Sequence, residues 1–189
     1  MATQQRQPAA NTFESTIAGI TITGKAHSLS AWFVLALRLM MGYAFFHAGW
    51  TKVMAAEPWS ATGYLLNAVP EPSPLYETFL WMGQTAWFAD LLAVAVPYGE
   101  LAIGLGLLFG VMTRLAAFFG AFMMLMFYFS NWSVEHGLIN GDFAYMLVFL
   151  AVAAFGAGRI LGLDPLIERY EIDGEALVER YPLLNYVLG

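Results

Sequence analysis

The chain has 189 residues, 59% hydrophobic, 16% aromatic and 12% charged, with a mean hydropathy of +0.61. Soluble domains carry about 25% charged residues, so the composition excludes a soluble globular protein and indicates an integral membrane chain with one core and short tails. It contains no cysteine, which excludes disulfides, thiolate metal sites, Cys-ligated iron–sulfur clusters and thiol redox chemistry by the chain itself.

The net charge is −6, with six acids against two arginines from Asp164 onward. No basic patch is present, so no nucleic-acid partner is expected. Residues 1–12 read as disordered, and the first 30 residues lack the apolar core of a cleaved signal peptide. Between Phe13 and Lys25, the alternation Ile20-Thr21-Ile22-Thr23 before Gly24 suits a turn or hairpin. Ser28 or Ser30 can cap a first span over about Ala31–Met54.

The stretch 55–87 is rich in Pro, Trp and Tyr. Pro58, Pro70, Pro72 and Pro74 stop any long helix and leave short amphipathic pieces at Gly63–Asn67 and Tyr76–Trp81. A second span covers Leu91–Met112, where Glu100 and Tyr98 are the only ionisable groups. A tight turn at Gly110–Thr113 follows, with Thr113 as N-cap, then a third span, Leu115–Ser130. The polar loop 131–142 leads to a fourth span, Phe143 to about Leu163. The tail places Leu177, Val178 and Tyr181 at helical spacing, as in a helix lying on a membrane or a partner.

The expected fold is therefore all-α, an integral membrane four-helix bundle with short interfacial helices in the outer loop and the C-terminal tail. Its parts are a polar N-terminal segment (1–30), a four-span domain (31–164) and an acidic amphipathic tail (165–189). Four spans place both termini on one side, with Arg6, Lys25, Arg114, Arg159, Arg169 and Arg180, while Lys52 stands alone opposite. By the positive-inside rule that side is cytoplasmic, in a multi-pass protein of the cell membrane. Trp50, Trp59, Trp81, Trp87 and Trp132 then gather at the outer interface.

Glu100 falls near the middle of its span, where a charge costs at least ~2.5 kcal/mol and needs a partner. On the first span Arg38, Gly42, Phe45, Gly49 and Lys52 share one stripe. Its two glycines admit another helix closely, and Phe45 either packs against a small residue opposite or walls whatever lies beside the charges. On the second span Ala93, Val96, Pro97, Glu100 and Gly104 form a stripe of mostly small residues, with Pro97 favouring a kink.

Depths counted from the inner helix ends pair Arg38 with Glu100 and Lys52 with Asp90. An Arg–carboxylate fork can satisfy both charges away from water. Such a pair either locks two helices in register or also binds a polar headgroup and relays protons.

His47 lies opposite Arg38 around the first helix and reads as an interfacial hydrogen-bonding residue. Without a second facing histidine, no haem is expected in this chain. The loop residues Asn131, Glu135, His136, Asn140 and Asp142 match no metal-ligand spacing, and no metal site is expected. Arg114 and Arg159 mark the inner rim, with lipid headgroups as their default partners and a substrate anion as the alternative.

Arg38-x3-Gly42-x6-Gly49-x2-Lys52, Glu100-x3-Gly104 and Gly110-x2-Thr113-Arg114 occur in this order on successive spans. In these motifs the chain resembles the DoxX family over about Ala31–Asp164. The resemblance implies a four-helix membrane bundle. It also implies a place as a subunit of a quinone-linked oxidoreductase, of the terminal quinol oxidase or thiosulfate:quinone oxidoreductase type. Glu100 and Arg38 are then the candidate catalytic pair, and Lys52, Asp90, His47 and Arg114 are candidate quinone or anion contacts. A non-covalently bound quinone is the implied cofactor, and electrons must come from redox subunits or pass between bound small molecules. The competing reading is a scaffold or assembly factor for a partner membrane complex or oligomer. A small-solute carrier fits less well, because four spans leave little cavity.

Overall fold

Helix α1 (Ser30–Val53) buries one stripe, Leu35, Arg38, Met41, Gly42, Phe45 and Gly49, the face that its small and charged residues predict. The structure, a computed structural model, describes residues 12–134 and 137–189. Before α1, β1 (Thr12–Ile17) and β2 (Ile20–Lys25) form an antiparallel hairpin. The disorder expected for residues 1–12 falls, except for Thr12, outside the described residues.

Helix α4 (Ala86–Phe109) buries Pro97, Glu100, Ile103, Gly104 and Leu107 and packs antiparallel on α1. The glycines set how closely the two approach. A Cβ on Gly49 would run into the Pro97 carbonyl and the Leu101 backbone, and one on Gly104 into the Phe46 backbone. Gly42 meets Leu107 and Leu108 in the same way. Continued along both helices, this register sets Trp50 level with Glu100, and Arg38 level with Met112.

Helix α5 (Thr113–Ser130) and helix α6 (Gly141–Ala154) form a second close pair. Gly120 of α5 gives way to the ring of Phe149. That ring also meets Phe45 edge-on, with centroids 4.8 Å apart, so Phe45 packs. Met41, Phe45, Ile103, Leu107, Ala117, Ala121, Met124, Phe149 and Val152 make one core shared by the four helices. The two pairs touch through α4 with α5 and through α1 with α6.

Polarity is inverted relative to a soluble protein. Arg38, Glu100, Thr113, Ser130 and Asp164 are buried, while Trp32, Phe33, Val94, Phe118, Phe122 and Leu147 face outward. Apolar groups gain nothing by turning inward when the surroundings are hydrocarbon.

Among the described residues three helices, α1, α4 and α5, are long and apolar enough to cross a membrane. The expected fourth span through Leu163 is not continuous. With 14 residues, α6 rises about 21 Å, short of a hydrocarbon core of about 30 Å. The chain leaves the helix where Gly156 adopts φ +59°, then makes a 3-10 turn over Ala157–Arg159 and enters α7 (Asp164–Glu168).

The expected tail helix is present only as a single turn among other small pieces. A hairpin of β3 (Glu171–Ile172) and β4 (Glu175–Ala176) turns on Asp173-Gly174, both at positive φ. A four-residue α8 (Leu177–Arg180) and a 3-10 turn (Pro182–Tyr186) follow.

The short helices expected in the 55–87 stretch are present as α2 (Thr62–Asn67) and α3 (Tyr76–Gln84). Ala61, Leu65, Val69 and Phe79 form a small separate core there, with Trp59 and Phe129 against it. Trp50, Trp59, Trp81, Trp87 and Trp132 collect at this end of the helices. Arg38 and Asp164 lie at the other.

Candidate functional site

Glu100 is 3% exposed and carries one ion pair. Its Oε2 lies 2.6 Å from Nζ of Lys52. The Lys52 side chain is 23% exposed, and its ammonium sits 5.7 Å from the ring centroid of Trp59, within cation–π range. Carboxylate, ammonium and indole thus form one cluster, held by α1, α4 and the start of the 55–87 stretch.

The expected Arg38–Glu100 pair is not formed, and neither is the Lys52–Asp90 pair. Arg38 is 1% exposed and donates from Nη1 to the carbonyls of Ala157 (2.6 Å) and Ile160 (2.9 Å) and from Nη2 to that of Leu161 (3.4 Å). Asp90 is exposed on α4. His47 is also exposed, its ring 6.0 Å from that of Tyr43, on the side of α1 away from Glu100.

The second polar cluster surrounds Asp164, which is fully buried. Its Oδ1 accepts from the Met112 amide at 2.7 Å and its Oδ2 from the Thr113 amide at 3.1 Å. The Gly189 amide donates to the same Oδ2 at 3.1 Å. Asp164 therefore caps α5 from outside that helix, a role the sequence assigned to Thr113. The negative charge at a helix N-terminus is favourable, and Asp164 also offsets the charge of Arg38.

Both rim arginines find partners within the chain. Arg114 donates to the Asn185 carbonyl at 2.6 Å and to that of Ala153 at 3.3 Å, at the end of α6. Arg159 grips both oxygens of Glu168, with Nη2–Oε1 at 2.7 Å.

In the loop after α5, Asn131 donates to Asp142 and Asn140 caps α6 through the Phe143 amide. Glu135 and His136 lie outside the described residues. Among the described residues no three His, Asp or Glu side chains are grouped to hold a metal.

An apolar groove runs between α4 and α5. Under α2 and α3 it opens into a cavity of about 490 Å³ lined by Trp59, Phe79, Val96, Gly99, Phe122 and Met126, among others. Ala102, Ile103 and Phe119 continue it into a second space of about 480 Å³ that reaches Met112 and Leu163. Each volume lies within the range of ligand pockets. Trp59 belongs to both the groove and the ion-pair cluster.

The family described as DoxX matches residues 33–132. The chain belongs to the DoxX family. No curated protein and no solved structure matches it. The DoxX match contains Arg38, Lys52, Trp59, Glu100 and Arg114, but stops short of Asp164 and of the carbonyls that receive Arg38. In this DoxX chain the polar end is therefore completed by residues beyond the matched segment.

Trp59 and Asp164 were missed as site residues. Asp164-Pro165 carries a local signal for a helix start, but nothing local says that its carboxylate caps a helix beginning 51 residues earlier.

Proposed function

We propose that this DoxX protein is a membrane subunit of a quinone-linked oxidoreductase, of the terminal quinol oxidase or thiosulfate:quinone oxidoreductase type. The α4/α5 groove takes the isoprenoid tail of a quinone, and Trp59, Lys52 and Glu100 stand at its headgroup end. The observation carrying this reading is the position of Trp59, whose ring faces the Lys52 ammonium and also lines the apolar cavity. A headgroup entering beside that ring has a donor in Lys52 and a proton acceptor in Glu100. Oxidation of a quinol to a quinone releases two electrons and two protons. Glu100 takes one proton at a time and passes it to water through the partly exposed Lys52, and the electrons leave to a partner redox subunit.

The same reading has α6 and the glycine-rich turn after it completing a fourth crossing in the cell membrane. Both termini are then cytoplasmic. The positive-inside rule supports this, since Lys25, Arg114, Arg159, Arg169 and Arg180 belong to the Asp164 end.

The test is solvent extraction of protein purified in mild detergent, beside Ala102→Trp, which fills the groove. Quinone in the native extract and its loss from the variant support the reading. A well-expressed native protein with neither bound quinone nor quinone-dependent redox activity overturns it. One observation favours a scaffold instead: Lys52, Glu100 and Arg38 find their partners inside the chain. On that reading Glu100→Gln fails to accumulate. On the quinone reading it accumulates and loses activity.

A further inference from the structure

The β1–β2 hairpin sorts its side chains by polarity. Strand pairing sets Phe13 opposite Gly24, Ser15 opposite Ile22 and Ile17 opposite Ile20. Side chains alternate along a strand, so Phe13, Ile17, Ile20 and Ile22 share one face. They are 50–76% exposed. Thr12, Glu14, Thr16, Thr21, Thr23 and Lys25 share the other face. A lone two-stranded hairpin is at best marginally stable in water, so a face this apolar calls for a cover.

Its position says which. Residues 26–29 alone join the hairpin to α1, and four residues reach about 14 Å at most. The link is a hydrogen-bonded turn, in which the Ser30 amide and hydroxyl both donate to the His27 carbonyl, at 3.0 and 2.7 Å. Leu29, Trp32 and Phe33, where α1 begins, are exposed as well, so apolar surface runs from the span toward the hairpin. The area argues against a second copy. Two six-residue strands present about 20 Å by 10 Å, roughly 200 Å², where a stable interface needs about 600 Å² or more from each partner.

We infer that the hairpin rests on the bilayer entered by α1, with Phe13, Ile17, Ile20 and Ile22 in the headgroup layer and the threonine face toward water. The site is a lipid-contact surface outside the helical core, independent of the quinone reading.

The native chain has no cysteine, so single labels can be placed without background. Ile17→Cys and Ile22→Cys report one face, Thr16→Cys and Thr23→Cys the other. Each full-length variant is spin-labelled and reconstituted into phosphatidylethanolamine–phosphatidylglycerol vesicles. Collisions with oxygen and with a water-soluble nickel chelate are then compared. The expected result is alternation, with labels at 17 and 22 favouring oxygen and those at 16 and 23 favouring nickel. Equal nickel access on both faces overturns the inference. So does dipolar broadening at position 17 that disappears on dilution with unlabelled protein, which would mean a second copy covers the face. Unchanged thermal unfolding of each variant guards against misfolding.

Discussion

Lys52 meets Glu100 at 2.6 Å although the helix register puts Trp50, and not Lys52, level with Glu100. Helical side chains lean toward the N-terminus of their own helix. On antiparallel helices, Lys52 of α1 and Glu100 of α4 therefore lean toward each other and close the gap. Arg38 and Glu100 lean apart, which forbids their pairing.

This ion pair sets a first expectation. Lys52→Met strands a buried carboxylate, and breaking a buried pair costs about 3–5 kcal/mol. Because Lys52 is partly exposed, the loss should fall at the lower end. Adding Glu100→Gln removes the stranded charge, so the double variant should unfold at a higher temperature than Lys52→Met alone. A double-mutant cycle on thermal unfolding in detergent measures the coupling, and strictly additive losses would contradict it.

At the opposite end, Asp164→Ala should be more damaging than the loss of an ordinary cap, which costs about 1 kcal/mol. It leaves the Met112, Thr113 and Gly189 amides without their acceptor and Arg38 without a nearby carboxylate. With about 1–3 kcal/mol for each buried group left unsatisfied, a loss of roughly 3 kcal/mol or more is expected. Asp164→Asn, which keeps one acceptor oxygen, should fall between. Hydrogen exchange at Met112 and Thr113 locates the effect, since both amides should lose protection before the middle of α5 does.

Much of this arrangement was legible in the residues. The stripe from Arg38 to Lys52 and that from Pro97 to Gly104 are the faces α1 and α4 bury, because helical periodicity and small residues determine which side can approach another helix. Pairing across the helices was not legible, because counting depth from expected ends ignores side-chain lean and the offset imposed by the Gly49 and Gly104 contacts. The end of α6 could have been read from Gly156, Gly158 and Gly162, and the tail hairpin from Asp173-Gly174, a favoured hairpin turn. The carbonyls that receive Arg38 carry no side-chain signature at all.

Gly104 offers a test of close helix approach. Gly104→Leu forces its side chain into the Phe46 backbone and should separate α1 from α4, with loss of folded protein in the membrane. Gly63→Ala is the control: a Cβ there meets nothing within 4 Å. Inside α2 it should be neutral or stabilise by up to about 1 kcal/mol, from the backbone entropy that glycine loses on folding. Membrane yield and thermal unfolding of the two variants should diverge. Similar losses from both would mean that the glycine contact is not what holds the helices.

Trp59 joins the ion pair to the groove, and its two contacts can be separated. Trp59→Phe keeps an aromatic face for Lys52 with a smaller ring, while Trp59→Leu keeps apolar lining but removes the cation–π contact, worth about 0.5–2 kcal/mol. If the ring only packs, both variants should lose similar stability and bind a short-chain quinone analogue equally. If it seats a headgroup beside Lys52, Trp59→Leu should weaken that analogue about tenfold, since 1.4 kcal/mol is a factor of ten, and Trp59→Phe much less. Ala102→Trp closes the groove instead, so it should weaken a long-chain quinone more than a short one. Titrations with the two chain lengths across the three variants therefore separate the headgroup contact from the tail contact, and uniform affinities throughout would remove Trp59 and the groove from any binding role.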